Sequence, residues 1–416
     1  MPKRNISCSS FMLILVSAFV VSLVGTIPIQ ADKEPPAISW KKIVLDKAFR
    51  SEGVAVADVN RDGKLDVLAG EVWYEAPDWK MHEIQTPGNY GDGASGYSHS
   101  FACWADDINH DGWPDLIVID FPGAPCHWFE NPKGQSVHWE KHVIWPSACN
   151  ETPLYVDLFG SGQRVLVMGW QPPGKEHEGQ MAWFNPGKDP DALWQMHPIS
   201  EPSSPGHEVP GTFKYAHGLG VGDINGDGKL DVICTAGWWE QPAQDVGRPW
   251  KFHPATLGDA CADMHVLDLD GDGKPDVISS SAHNYGIWWY QQRPGGNGNP
   301  AFLKHDLFPK LFSQSHALHL VDINGDGLKD LVTGKRWWAH GPKGDVAAND
   351  PAVLYWFEAK RDPGGMTRFI PHQIDGDSGI GTQFAVQDVN GDGLPDVVVA
   401  NKKGVFVFEQ ARAAGK

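Results

Sequence analysis

Cysteine is scarce in this chain, with 6 in 416 residues. No two of them form a C-x-x-C pair, which excludes a zinc knuckle and a thioredoxin-like centre. Basic residues are also short: 34 Lys and Arg stand against 52 Asp and Glu, for a formal net charge of −18. That balance argues against nucleic acid and anionic membranes as partners. Beyond the first two dozen residues no apolar run is long enough to span a bilayer. Amphipathic helical stripes are few, so an all-α protein is excluded. A phosphate loop, a dinucleotide fingerprint and a nucleophilic-serine elbow are all missing.

What is plentiful is turn-forming and aromatic. There are 47 Gly, 32 Pro and 19 Trp, and 41% of the residues are hydrophobic. This suits a globular chain with a substantial core. Lys3 and Arg4 precede an apolar run from Phe11 to Val24, and Ala31 is a small residue suited to cleavage. Residues 1–31 are therefore expected to be a secretory signal, placing the mature protein outside the cell or in a periplasm. Its removal takes Cys8 with it, so five cysteines remain and at least one has no disulfide partner. Cys103 and Cys234 lie in apolar runs and are expected to be buried. A Cys126–Cys149 bridge is an option that the sequence leaves open.

The dominant feature is a repeat. Seven segments start at Asp58, Asp107, Asp157, Asp223, Asp268, Asp322 and Asp388, at spacings of 49, 50, 66, 45, 54 and 66 residues. Periods of that size mean a solenoid or a propeller. An apolar run precedes each Asp loop and another follows it. Next comes an aromatic pair, as in Trp73-Tyr74-Glu75, Trp128-Phe129-Glu130 and Trp238-Trp239-Glu240. In the sixth unit either Trp337-Trp338 or Trp356-Phe357 fills that place. A final run carries a spaced aromatic and histidine: His82, His142, His197, His253, His305 and His372. Four short runs per unit, rich in β-branched and aromatic residues, predict four strands. The final-run signature also precedes the first Asp loop at Trp40, whereas the chain ends after a third run. The N-terminal strand is thus expected to complete the last unit. The prediction is an all-β fold: a seven-bladed β-propeller of four-stranded blades over residues 38–410, the ring closed by an N-terminal outer strand.

Six loops place oxygen ligands at positions 1, 3, 5 and 9. They are Asp58, Asn60, Asp62 and Asp66; Asp107, Asn109, Asp111 and Asp115; and Asp223, Asn225, Asp227 and Asp231. The others are Asp268, Asp270, Asp272 and Asp276; Asp322, Asn324, Asp326 and Asp330; and Asp388, Asn390, Asp392 and Asp396. Calcium wants six to eight oxygens, and alternate residues of a tight loop point inward together. The EF-hand glutamate at position 12 is absent. Nineteen of the 52 acidic residues sit in these loops, where they would repel one another without a cation. Up to six structural Ca2+ sites are expected. The Asp157 loop has Phe159, Ser161 and Val165 in ligand places and is expected to bind none.

These loops resemble the FG-GAP/VCBS repeat family, which includes the integrin α-chain propeller. The resemblance covers about residues 38–410. It implies that each Asp loop joins the first and second strands on one face, leaving the opposite face for ligands. On that face, six residues ahead of each Asp loop, stand Glu52, Phe101, Glu151, His217, Ala262, His316 and Thr382. His99, Asp263 and Gln383 lie at the same level. Glu71, His283, Lys335 and Arg336 fall between the second and third strands. Histidines and carboxylates near an axis suit a transition metal or a general base.

The aromatic pairs, outer-strand histidines and axial histidines look more weakly like the propeller of aldos-2-ulose dehydratase, an enzyme that removes water from oxidised sugars. Two readings follow. One is a metal-assisted sugar lyase or dehydratase. There, His217, His316 and His99 hold a metal, a histidine or Tyr97 or Tyr215 moves a proton, and Lys335 or Arg336 steadies an enolate. The other is a non-catalytic propeller that binds carbohydrate or protein at its top face. The aromatic pairs could stack on sugars, but their repetition favours an inter-blade core.

Overall fold

The computed structural model describes residues 37–296 and 299–413, so the expected signal segment lies outside the described residues. The described chain forms 28 strands and no α-helix, and no helix among the described residues could cross a membrane. Six of the repeats fold as antiparallel four-strand meanders. The first runs Ala55–Ala57, Asp66–Ala69, Val72–Glu75 and Lys80–Glu83, with the Asp loop between its first two strands. The expected propeller of four-stranded blades is therefore present.

The sheets are not all separate, as the repeat alone would suggest. There are five four-stranded sheets and one eight-stranded sheet. In the latter, the innermost strands Leu219–Gly222 and Met264–Leu267 pair in parallel at Gly220–Met264 and Val221–His265. Glycine permits this approach: a Cβ on Gly220 would meet the Met264 carbonyl oxygen at 2.0 Å. Other units carry side chains there and stay apart.

Strand Ile38–Asp46 pairs antiparallel with Gly404–Arg412, from Ile38 opposite Arg412 to Asp46 opposite Val405. It supplies the outer strand of the last sheet, as expected. The first unit also touches both chain neighbours. Glu52 N donates to Ser100 O, and Thr382 N donates to Glu52 O.

Second strands such as Asp66–Ala69, Asp115–Ile119 and Asp396–Asn401 are buried at every position. Both sheet faces are covered, so these strands read as continuous apolar runs. The aromatic pairs supply much of the packing between sheets. Trp128, Trp238 and Trp239 are at most 2% exposed, which fits an inter-blade core rather than a sugar platform. In six units the first or second tryptophan of the strand stacks on the outer-strand histidine. The centroid separations run from 3.8 Å for Trp183–His197 to 4.5 Å for Trp356–His372. The residue after the aromatic pair then fixes that ring, as in His82–Glu75 at 2.7 Å and His253–Glu240 at 2.6 Å. In the sixth unit Trp356-Phe357 takes this place, and Trp337-Trp338 lies in the connection. All five described cysteines are free and buried. The Cys126–Cys149 option is thereby removed, and both are packed as small apolar groups.

The aspartate at position 9 has a structural task that the motif alone did not reveal. Asp231 is fully buried, and its two oxygens accept the Ile224 and Gln241 backbone N–H groups at 3.0 and 2.9 Å. Asp66, Asp115, Asp276, Asp330 and Asp396 repeat this clamp. It ties the Asp loop to the end of the third strand. Replacing Asp231 by asparagine aims an NH2 group at a backbone N–H. Measured in excess chelator, Asp231→Asn should lose about 1–3 kcal/mol of unfolding free energy. A urea midpoint equal to that of the unaltered protein would show that the clamp contributes nothing.

Candidate functional site

The first strands begin at the end opposite the Asp loops. Their approach segments carry Glu52, Glu151, His217 and His316 from four different units. The connections between second and third strands add His283 and Arg336. These six side chains meet.

Three imidazoles face one carboxylate. His217 Nε2 lies 2.9 Å from His283 Nε2 and 3.6 Å from Glu151 Oε2. His316 Nε2 lies 3.2 Å from the same Glu151 oxygen. Ring centroids are 4.6, 5.2 and 5.8 Å apart, and each histidine offers a nitrogen within 4.8 Å of the other two. His217 Nδ1 meets the Tyr215 carbonyl oxygen at 2.8 Å, so Nδ1 carries the proton and Nε2 is free to act as a ligand. Burial lowers His217 to about 4 and His316 to about 3, leaving both neutral with lone pairs available near pH 7. Burial alone would raise Glu151. The His316 hydrogen bond and the Arg336 guanidinium outweigh it and hold the carboxyl below its ordinary range.

Arg336 braces the cluster. Its guanidinium donates to Glu52 Oε1 at 2.8 Å and to Glu151 Oε2 at 3.3 Å, with all three side chains nearly fully buried. Two carboxylates against one guanidinium leave the site short of positive charge. The Arg336 Nε and the buried His316 Nδ1 have no hydrogen-bond partner. Phe101 and Tyr97 cover the guanidinium at 5.5 and 6.0 Å from their ring centres. Tyr97 continues through Phe121, at 4.9 Å, to the part-exposed Tyr215. Lys402 Nζ stands 4.4 Å over the Tyr97 ring, and burial lowers it to about 8.

His217, His316, His283, Glu52 and Arg336 are thus brought together. Tyr97 borders them through Arg336, and the other expected site residues are elsewhere. The His99 side chain is 69% exposed and pairs with Asp120 at 3.1 Å, away from the three histidines. It lines a separate recess of about 370 Å³ with Glu71 and His127, and Glu71 is tied there to the Tyr90 hydroxyl. Lys335 turns its Nζ to Ser313 Oγ at 2.9 Å. Asp263 accepts the Leu318 backbone N–H at 3.0 Å, and burial raises it to about 7. Gln383 accepts the Val54 N–H at 2.8 Å and so links the last unit to the first. Tyr215 serves the cluster through its carbonyl while its ring stays at the surface. These corrections share one cause. Neighbouring residues on an extended approach point to different sides, so a common level does not imply a common cavity.

Glu151 stood in the polar row of the sequence but was not singled out. His340 and Asp345 were missed. They lie in the connection between strands Asp330–Gly334 and Leu354–Arg361, which is long for a propeller link, and that length was the available signal.

Among the Asp loops, the one at Asp268 gathers the carboxylates of Asp268, Asp270 and Asp276 within 4.8 Å. In all six loops burial raises the position 9 carboxyl, to about 6 in Asp66, Asp231, Asp330 and Asp396 and about 7 in Asp115. Position 5 is partly neutralised by lysine in four loops: Lys64–Asp62 at 2.9 Å, Lys133–Asp111 at 3.0 Å, Lys229–Asp227 at 2.5 Å and Lys274–Asp272 at 2.6 Å.

The sequence of an FG-GAP-like repeat matches residues 268–333, and that of an FG-GAP repeat matches residues 215–248. These two stretches carry FG-GAP-like repeats, and the described residues fold as a β-propeller of four-stranded blades. No curated protein matches it in sequence. Among solved structures, an Agrocybe aegerita lectin described as recognising non-reducing terminal N-acetylglucosamine is similar at 15% identity. The match covers 90% of this chain and 86% of the lectin, with a TM-score of 0.44. The rhamnogalacturonan lyase YesW is similar at 14% identity, covering 90% and 74%, with a TM-score of 0.43. BBS1N, crystallised in complex with ARL6DN, is similar at 11% identity, covering 92% and 98%, with a TM-score of 0.45. Scores of this size carry no argument about activity.

Proposed function

We propose that this is an exported, seven-bladed propeller enzyme, with calcium in its Asp loops and a transition-metal centre at the opposite end of its axis. The double sheet counts as two blades in this reading, because each half keeps its own four-strand meander and Asp loop. The reaction class is a metal-assisted lyase or dehydratase acting on carbohydrate. The observation that carries it is the convergence of His217, His283 and His316 on Glu151, in a buried site with an excess of negative charge. Three imidazoles and a carboxylate fit zinc, manganese or iron better than calcium. Such an ion supplies Lewis acidity to a substrate oxygen. The protein's own part is positional. The Tyr215 carbonyl and Arg336 hold the His217 and Glu151 ligand atoms in place. Phe101 and Tyr97 screen the site from water, and Tyr97 stands at its edge, where it can exchange a proton with a bound sugar.

A second reading is a binding propeller without catalysis. Tyr215 favours it, being 42% exposed beside the same site. Metal content separates the two. After mild calcium chelation the protein should retain one or more equivalents of a transition metal, and His217→Ala and His316→Ala should each lose the inner ion. A chain containing calcium alone would leave the binding reading standing.

A further inference from the structure

We propose that His283, His340 and Asp345 form a second transition-metal site that shares His283 with the inner cluster, so that one imidazole ring bridges two divalent ions. This rests on the inner-centre reading and adds to it a neighbouring, more open ion. His283 presents a nitrogen to each side. Its Nε2 faces His217 at 2.9 Å. Its Nδ1 lies 3.5 Å from Asp345 Oδ1, and although buried it has no hydrogen-bond partner.

His340 Nδ1 comes to 3.0 Å of the same Asp345 oxygen, and the two imidazole centroids are 4.6 Å apart. The other carboxylate oxygen is occupied by the His340 backbone N–H at 3.0 Å, which fixes the aspartate in this orientation. One oxygen is therefore left facing two ring nitrogens, and all three donors lie within 4.8 Å of one another. Ligands about 2.0–2.2 Å from a zinc-like ion stand roughly 3–3.5 Å apart, so these separations need little adjustment.

The donor set selects zinc, copper, nickel or cobalt over calcium. Ligation of His283 at both nitrogens releases its remaining ring proton to solvent and leaves an imidazolate bridge. The Asp345 side chain is 5% exposed and that of His340 is 46% exposed. The outer ion would thus have a solvent-facing side on which a water molecule or a substrate oxygen can bind. The bridge joins two units of the propeller, because His283 belongs to the fifth meander and the other two ligands to the sixth.

The test counts ions. The full chain, kept in excess calcium to fill the Asp loops, is stripped of other metals, loaded with Zn2+ and dialysed. The retained zinc is then measured by mass spectrometry. Two equivalents are expected for the unaltered protein, and one for Asp345→Asn and for His340→Ala. His340 is exposed enough that its loss should not impair folding. Loaded with Cu2+ instead, the unaltered protein should show the half-field resonance of a coupled copper pair, and both variants should show isolated copper. One equivalent in all three proteins would overturn the outer site and leave the inner one intact. Two equivalents in either variant would also overturn it. No retained zinc in the unaltered protein would overturn the inner centre and the outer site with it.

Discussion

Arg336→Ala is expected to lower the unfolding free energy by about 3–5 kcal/mol, read as a shift of the urea midpoint at neutral pH. The guanidinium links segments 284 and 185 residues apart in the chain, donating to Glu52 and Glu151. Its own burial opposes its charge, but the two carboxylates outweigh that and raise its pKa. Without it, two carboxylates stay in a dry site with no cation hydrogen-bonded to them, Lys402 standing off over the Tyr97 ring. Losing Arg336 raises the Glu151 carboxyl, whose charged form burial already disfavours. The sign of the pH dependence follows. A carboxyl whose folded pKa is raised costs stability above that pKa and regains it as the pH falls through it. The deficit of Arg336→Ala should therefore shrink on acidification towards pH 5. Adding Glu52→Gln to Arg336→Ala should restore part of the loss at neutral pH. A variant within about 0.5 kcal/mol of the unaltered protein would show that the brace is not a stability element.

Removing calcium is expected to have the other large effect. One ion bound at a hundredfold its dissociation constant adds about 2.7 kcal/mol. Several filled loops together would shift the thermal midpoint by roughly 10 °C or more. Excess EGTA should produce that fall, and added calcium should reverse it. The loops are not equivalent. Leu328 and Leu394 stand where Lys64, Lys229 and Lys274 neutralise position 5 elsewhere. The loops at Asp322 and Asp388 should accordingly bind most tightly. Asp388→Ala should remove one equivalent of calcium, whereas Asp157→Ala should remove none, because that loop lacks the ligands at positions 3, 5 and 9. A thermal midpoint indifferent to EGTA would dismiss these loops as metal sites.

The Asp loops and the aromatic pairs were legible because they are local. A turn with alternating oxygens, a strand with a repeating aromatic and an outer-strand histidine each depend on residues close in the chain. Even the completion of the last sheet could be read, because Trp40 repeats a signature found elsewhere. The fusion of two sheets was less visible. It depends on Gly220 facing Met264, a contact between units that the period does not encode.

The chemistry divides in the same way. From its residues alone the chain declares a repeated all-β architecture, its strand order and its six candidate cation loops, since each follows from short-range geometry that recurs along the chain. Only the folded ring decides that His283 joins His217 and His316 while His99 turns to Asp120, or that Lys335 turns aside while Arg336 meets both glutamates. Equivalent slots carry equal weight in a sequence. Which of their side chains share one small volume depends on loop paths and on how separate units pack around the axis.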